Sequence, residues 1–306
     1  MTHIGLMDVD GHNFPNLALM KLSAWHKSQG DQVEFVFELS DYDIIYKAKV
    51  FTFTEDRTTA LNADKIIQGG TGYHDYVTLL PYEAEHIMPD YSLYGKDFAL
   101  GFATRGCPNK CPWCVVPEKE GKIRANTDIY EFWNGQKNIV FLDNNMMAHE
   151  NGLLQLENCI KEGIKVDCNQ GLDARLIAKD IEIQKLLARV KWTKFIRVAC
   201  DHKSQMEDVA ISVRQVRKFS NRITPFFVYT LIQDDIQDAL DRIYFLRALK
   251  YVDPFAQPYR DFETNKEPPK IQKKLARWVN MKAVFRSVEW EDYAVQPQDQ
   301  KHSKRR

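Results

Sequence analysis

An excess of charge of either sign is the first thing this 306-residue chain lacks: Lys+Arg and Asp+Glu both number 42, and the formal net charge is +0. Proteins that wrap a nucleic-acid backbone carry a basic excess, so nucleic acid is not indicated as a partner. Long apolar runs are missing as well. No stretch approaches the roughly 18 consecutive apolar residues of a membrane span. The opening MTHIGLMDVDGHN has neither the basic head nor the apolar run of a signal peptide. No internal repeat is visible, and residues 1–106 contain no cysteine. The expectation is a cytoplasmic protein with no membrane partner. Thiols stay reduced there, so a tight cysteine cluster points to metal or redox chemistry before disulfides.

What is present is core material. The composition is 44% hydrophobic and 27% charged, with six Trp, 13 Tyr and 17 Phe, enough for one large or two medium domains. IGLMDVD (4–10), VEFVF (33–37), DIIYKAKVF (43–51) and KIIQGG (65–70) read as strands, and NLALMKLSAWHKSQG (16–30) as an amphipathic helix. Strand and helix alternate over about the first 95 residues, which predicts a small doubly wound, Rossmann-like sheet. A second series follows: FALGFA (98–103), NIVFLD (138–143), IKVDCN (164–169), KFIRVAC (194–200), TPFFVYTLI (224–232) and ALKYVDPF (248–255). Helical patterns separate these runs, and six strand-then-helix units predict a parallel sheet curling toward a barrel. Beyond Arg260 the proline-broken KEPPKIQKK leads to a helix around LARWVNMKAVF that packs back on the body, then to a frayed tail, QPQDQKHSKRR.

Half of the six cysteines lie in CPNKCPWC, at Cys107, Cys111 and Cys114. A structural zinc site wants four ligands, and neither a fourth cysteine nor a well-spaced histidine follows nearby. Three thiolates on one loop suit a cubane iron–sulfur cluster with one iron left free of protein ligands. The loop follows the first strand of the six-unit series, at the end where barrel enzymes place their chemistry. A Cys111–Cys114 disulfide is the alternative.

CPNKCPWC resembles the CxxxCxxC signature of radical S-adenosylmethionine (SAM) enzymes, and the six units resemble their partial, TIM-like (β/α)6 barrel, over roughly residues 97–260. The resemblance implies that Cys107, Cys111 and Cys114 hold a [4Fe-4S] cluster whose fourth iron is chelated by SAM. One electron then cleaves SAM to methionine and a 5′-deoxyadenosyl radical, which abstracts hydrogen from the substrate. Trp113 takes the place of the residue beside the adenine. LDNNMM stands where the family often has Gly-Gly-Glu, which points to Asn144 or Asn145 as the group receiving the SAM amino group. Other strand-end polar residues are candidates for cofactor or substrate contact, Gln170 and Asp201 foremost, with Asp173 and Arg175 nearby; each reads equally as a loop cap or solvated residue. Cys159 reads as core packing. Cys168 and Cys200 read as packing, or as a second-cluster ligand or hydrogen-atom donor. The lack of cysteine in residues 1–106 sets aside the methylthiotransferases of this superfamily, which carry a second cysteine trio there.

The N-terminal sheet resembles the cobalamin-binding domains that precede many radical SAM barrels. Their Asp-x-His-x-x-Gly appears here as Asp10-Gly11-His12-Asn13-Phe14-Pro15, with proline in place of glycine. The resemblance implies His12 as lower cobalt ligand, oriented by Asp10, and a nucleotide tail approaching Gly69 and Gly70. The alternative is a helix-start cap or pocket-lining role for His12.

The expected fold is α/β, with a small Rossmann-like, B12-binding-like domain (1–95), a radical SAM (β/α)6 partial barrel (96–260) and a C-terminal helical extension with a basic tail (261–306). The expected cofactors are a [4Fe-4S] cluster and SAM, with cobalamin a candidate third. The expected partners are a small-molecule or peptide substrate and an electron donor such as flavodoxin or ferredoxin. If cobalamin binds, methyl transfer is the reaction to expect; otherwise another hydrogen-abstraction reaction. A non-catalytic metal-binding or electron-transfer protein using the same thiols is the alternative.

Overall fold

The computed structural model describes residues 1–11, 14–56, 61–261 and 263–295. The first apolar runs form β1 (His3–Asp8), β2 (Gln32–Phe35), β3 (Asp41–Ala48) and β4 (Asn62–Gly69), with α1 (Leu17–Ser28) between β1 and β2. All four strands are parallel, in the order β2-β1-β3-β4. That is the order of flavodoxin-like doubly wound sheets. The expected alternation with helices fails after β2. Residues 36–40 are too few for a helical crossover, and the described part of the 49–61 link holds no helix. In that link the Asp10 carboxylate accepts from the backbone N–H of Val50 (2.5 Å) and Phe51 (3.2 Å) and from Thr54 Oγ1 (2.6 Å), holding it extended.

α1 is also less one-sided than its pattern predicted. Leu19 and Leu22 pack on Ile4 and Leu6 of the sheet, while Leu17 and Met20 pack against Leu100 of the following strand. Buried on both faces, the helix joins the two halves of the chain through apolar contact. Each such buried side chain is worth roughly 1.5–3 kcal/mol relative to exposure.

After a short α2 (Tyr82–Glu85) the second series begins. Its elements are β5 (Phe98–Gly101), β6 (Thr104–Arg105), α3 (Val116–Lys119), β7 (Arg124–Ala125), β8 (Asn138–Phe141), α4 (Glu150–Glu162), β9 (Lys165–Cys168), α5 (Ala174–Lys179) and α6 (Ile181–Arg189). They continue with β10 (Lys191–Trp192), β11 (Ile196–Ala199), α7 (Met206–Phe219), β12 (Phe226–Ile232), α8 (Ile236–Ala248) and β13 (Val252–Pro258). Every predicted run in this series overlaps a strand, although β13 extends past the last run to Pro258.

The strands form two parallel sheets, β10-β9-β8-β5 and β11-β12-β13, rather than one. The break lies at residues 193–195, where the chain leaves the start of β9; the Leu172 N–H then bonds the Arg197 carbonyl (2.8 Å) and links the two sheets. Among the described residues no ladder joins β5 to β13. The main core lies between these strands and their helices, with Ile139, Phe141, Val166, Val198, Phe226 and Val228 from the strands.

The predicted C-terminal helix is two, α9 (Lys270–Asn280) and α10 (Lys282–Ser287), followed by α11 (Trp290–Val295). Asn280 ties α9 to β13 by donating to the Ala256 carbonyl and accepting from its N–H, both at 2.9 Å. Trp278, Phe285 and Trp290 bury their rings together behind it. The predicted tail at 296–306 lies outside the described residues. Near the start of this region, Asn265 exchanges hydrogen bonds with Thr52 (2.7 and 2.8 Å), fastening the link after β3 to the segment after β13.

Candidate functional site: a three-thiol loop

The cysteine loop hangs from the β6–β7 hairpin at the C-terminal end of β5. Gly106 adopts φ +81°, and a Cβ there would lie 2.3 Å from the Lys122 carbonyl oxygen, so only glycine fits. Its N–H donates to Glu120 (2.8 Å), and the Cys107 N–H to the Gly121 carbonyl (3.2 Å). The loop's root is pinned to the end of β8 by Asp143, which accepts from Ala103 N–H (3.0 Å) and Thr104 Oγ1 (2.7 Å). Burial pushes the Asp143 carboxyl up to about 6, against the pull of the Thr104 and Ala103 hydrogen bonds.

All six cysteines are free thiols, so the disulfide alternative for Cys111 and Cys114 is not what the structure holds. Burial raises the Cys111 and Cys114 thiols above the usual range, and the charges of neighbouring thiols raise them further. Cys111 feels Cys114 and Cys107, and Cys114 feels Cys107 and Asp201, so the three sulfurs share one electrostatic neighbourhood. Arg175 opposes the rise at Cys111. Among the described residues, no three His, Cys, Asp or Glu side chains converge on one point as a single-ion site requires. A cubane makes a different demand, because each thiolate binds a separate iron.

The ends of β8 and β9 deliver polar groups to this loop, and the end of β11 carries a third, Asp201, that bonds elsewhere. Asn145, after β8, places Nδ2 3.7 Å from Cys107 Sγ and 3.3 Å from Asp173 Oδ2. Its Oδ1 is buried without a hydrogen-bond partner. Asp173, which caps α5 after β9, is gripped by Arg175 Nε (2.8 Å) and Nη2 (2.7 Å) and accepts from Asn109 (3.1 Å). Burial acts to raise the Asp173 carboxyl, but the Arg175 and Asn109 bonds prevail and hold it below the usual range. Asp201, after β11, accepts from Leu231 N–H (2.9 Å). Burial lifts its carboxyl, opposed by that bond and by the charge of Arg242.

The structure thus brings Asn145 to Cys107, while Trp113 lines an open hollow of about 250 Å³ with Cys111, Arg175 and His202; Asp201 makes its hydrogen bond to Leu231 and acts on the thiols through its charge alone. Asn144 reaches the loop indirectly, donating to Glu120 (3.0 Å). Gln170 is exposed on the turn after β9 and, among the described residues, makes no hydrogen bond to the loop. His12 lies outside the described residues. Cys159, Cys168 and Cys200 are buried in the main core, and Cys168 Sγ contacts Met146 Sδ at 3.5 Å. Burial pushes Cys159 and Cys200 up to about 12, as expected of packing thiols.

Three supporting residues escaped the sequence reading. Asp143 had a signal in standing directly after an apolar strand. Glu120 had none beyond the adjacent Gly121. Arg242 sits on the apolar stripe of α8 with Asp238 four residues earlier, a spacing that marks a buried ion pair.

In the N-terminal sheet the expectations for Asp10 and the glycines change. Both Asp10 oxygens are engaged by the 50–54 segment. At Gly70 a Cβ would meet the Lys49 carbonyl oxygen at 2.4 Å, so the close approach to the backbone there is made by the chain itself.

Parallel strands with helices, carrying a three-thiol loop at the C-terminal end of β5, define a mixed α/β protein. No family model matches the chain, and no curated protein matches it by sequence. Its fold is similar to solved structures of the cobalamin-dependent S-adenosylmethionine radical enzyme OxsB. The form with aqua-cobalamin and S-adenosylmethionine bound aligns with a TM-score of 0.56 at 12% identity, over 94% of this chain and 56% of that chain. The form with aqua-cobalamin alone aligns at 0.57 and 11% identity, with the same coverage. The chain therefore spans a little over half the length of these structures. Among the described residues no helix is long and apolar enough to cross a membrane.

Proposed function

We propose that this chain is a radical SAM enzyme, with a partial (β/α)6 barrel over residues 96–260, a B12-binding-like sheet over 1–95 and a helical extension over 261–306. Cys107, Cys111 and Cys114 would hold a [4Fe-4S] cluster. The carrying observation is that Asn145, from the end of β8, lies 3.7 Å from Cys107 Sγ, while Asp173, from the end of β9, bonds both Asn145 and Asn109 of the thiol loop. The donor set fits the group: three thiols in one neighbourhood, and beside them a buried Asn145 Oδ1 with no partner, free to accept from the amino group of SAM. Asn144, Asp201, Gln170 and Trp113 are the remaining candidates for holding SAM.

When bound, the cluster supplies the electron for reductive cleavage of SAM. The chain's own part is to hold the geometry. Glu120 and Asp143 fix the loop's root. Asp173, ionised and gripped by Arg175, orients Asn145. Arg242 fixes the strand ends on either side of Asp201. An external donor such as flavodoxin or ferredoxin would supply the electron, and the substrate would be a small molecule or peptide.

For cobalamin the residues fit less well. The strand order and the cofactor of the similar structures support a B12-binding-like ancestry, but Asp10 and the Gly70 backbone are occupied by the 49–54 segment.

The test is anaerobic reconstitution with iron and sulfide, reduction, and EPR with and without SAM. A reduced-cluster signal that SAM changes is the expected result. A cluster indifferent to SAM, or zinc in place of iron, would return the protein to the metal-binding or electron-transfer class.

A further inference from the structure

Asn145 is only 3% exposed. Its amide nitrogen carries two hydrogens and has two acceptors in reach, Asp173 Oδ2 at 3.3 Å and Cys107 Sγ at 3.7 Å. Chemistry fixes which way the amide faces. Asp173, bound in bidentate fashion by Arg175, is ionised and has no hydrogen to give. The –NH2 must therefore face Asp173, since the carbonyl oxygen would repel it. That orientation directs the second N–H at the sulfur and leaves Oδ1 on the far side of the amide.

We propose that Asn145 is a positioning residue that donates an N–H to the Cys107 thiolate and so raises the reduction potential of the cluster at this loop. The inference rests on the reading of the three thiols as cluster ligands. Its physical basis is electrostatic. One-electron reduction adds a negative charge to the cluster, and the positive end of an N–H dipole aimed at a ligand sulfur stabilises the reduced form more than the oxidised one. Hydrogen bonds to the sulfurs are among the protein's levers on such potentials. Arg175 acts through this chain without touching the sulfur, because it fixes Asp173 and Asp173 fixes the amide.

The experiment compares wild type with Asn145→Leu and Asn145→Ala, each reconstituted anaerobically and assayed for iron and acid-labile sulfide. The proteins are titrated with dithionite and mediators in the absence of SAM, and the reduced fraction is read by EPR. In the variants the ratio of reduced to oxidised cluster at a fixed solution potential should fall about tenfold, a shift of about 59 mV for a one-electron couple. A purely structural role would alter iron content or melting but not the potential of fully loaded protein. If Asn145→Leu overpacks and loads poorly, Asn145→Ala carries the test. Variants with wild-type iron content and wild-type potential overturn the proposal. A wild type that takes up no [4Fe-4S] cluster overturns the underlying reading instead.

Discussion

Arg242, on α8, donates from Nη1 to the carbonyl of Cys200 at 2.7 Å, reaching the residue that immediately precedes Asp201. Its Nη2 donates to the Leu231 carbonyl (2.9 Å), and Leu231 in turn donates its N–H to Asp201. One buried guanidinium therefore holds the two strand ends that fix this carboxylate. Arg242→Met should leave two carbonyls unsatisfied and cost about 3 kcal/mol, at roughly 1–3 kcal/mol per buried orphan group. Urea unfolding should show a lower midpoint at unchanged slope. A midpoint within error of wild type would mean that the clamp is dispensable.

Asp143 gives a pH dependence with a definite sign. Its folded pKa, about 6, lies above that of an ordinary exposed carboxyl, so the folded state binds more protons between about pH 4 and 6. Stability contributed by this group is full below about pH 4 and is lost as pH rises through 6. A rise of that size corresponds to about 3 kcal/mol as an order of magnitude. Asp143→Asn cannot titrate, so the difference in unfolding free energy between wild type and variant should drift against the wild type from pH 4 to 7. A constant difference across that range would show that the carboxyl is not raised.

Gly106 is the backbone requirement of the thiol loop. Alanine there must hold φ +81° and place its Cβ 2.3 Å from the Lys122 carbonyl oxygen, so the hairpin has to move. The left-handed conformation alone costs roughly 1–2 kcal/mol. Gly106→Ala should bind less than half the wild-type iron on reconstitution, whereas Gly121→Ala, with open space at its Cβ, should keep more of it. Equal loading of the two variants would remove the steric argument.

Periodicity carried the strands well because every apolar run of the second series faces a covered side, as Val166 and Cys168 or Val198 and Cys200 do. It misjudged α1, since a helix pattern records that residues are buried but not by how many partners; Leu17 and Met20 face a strand some eighty residues further on. The thiol trio stands out in the sequence by spacing alone. Its supports do not. Asp143 meets Thr104 and Asn145 meets Cys107 across nearly forty residues, and such pairings exist only once β5 and β8 lie side by side. Asp10 shows the converse, a motif legible in sequence whose carboxylate the fold has committed elsewhere.

That commitment yields the last prediction. If His12 ligates cobalamin with Asp10 behind it, the imidazole competes for Asp10 with the 50–54 segment, where Thr54 donates its hydroxyl at 2.6 Å. A hydrogen bond to a charged group contributes roughly 1.5–3 kcal/mol. Thr54→Ala should therefore tighten aquacobalamin binding about tenfold or more, on the scale of 1.4 kcal/mol per decade. On the same premise His12→Ala should abolish that binding while leaving iron loading unchanged. Visible-absorption titration with aquacobalamin reads both. Binding that ignores Thr54→Ala and His12→Ala alike would place the corrinoid somewhere other than this sheet edge, and the resemblance of residues 10–15 to a cobalamin motif would then carry no function.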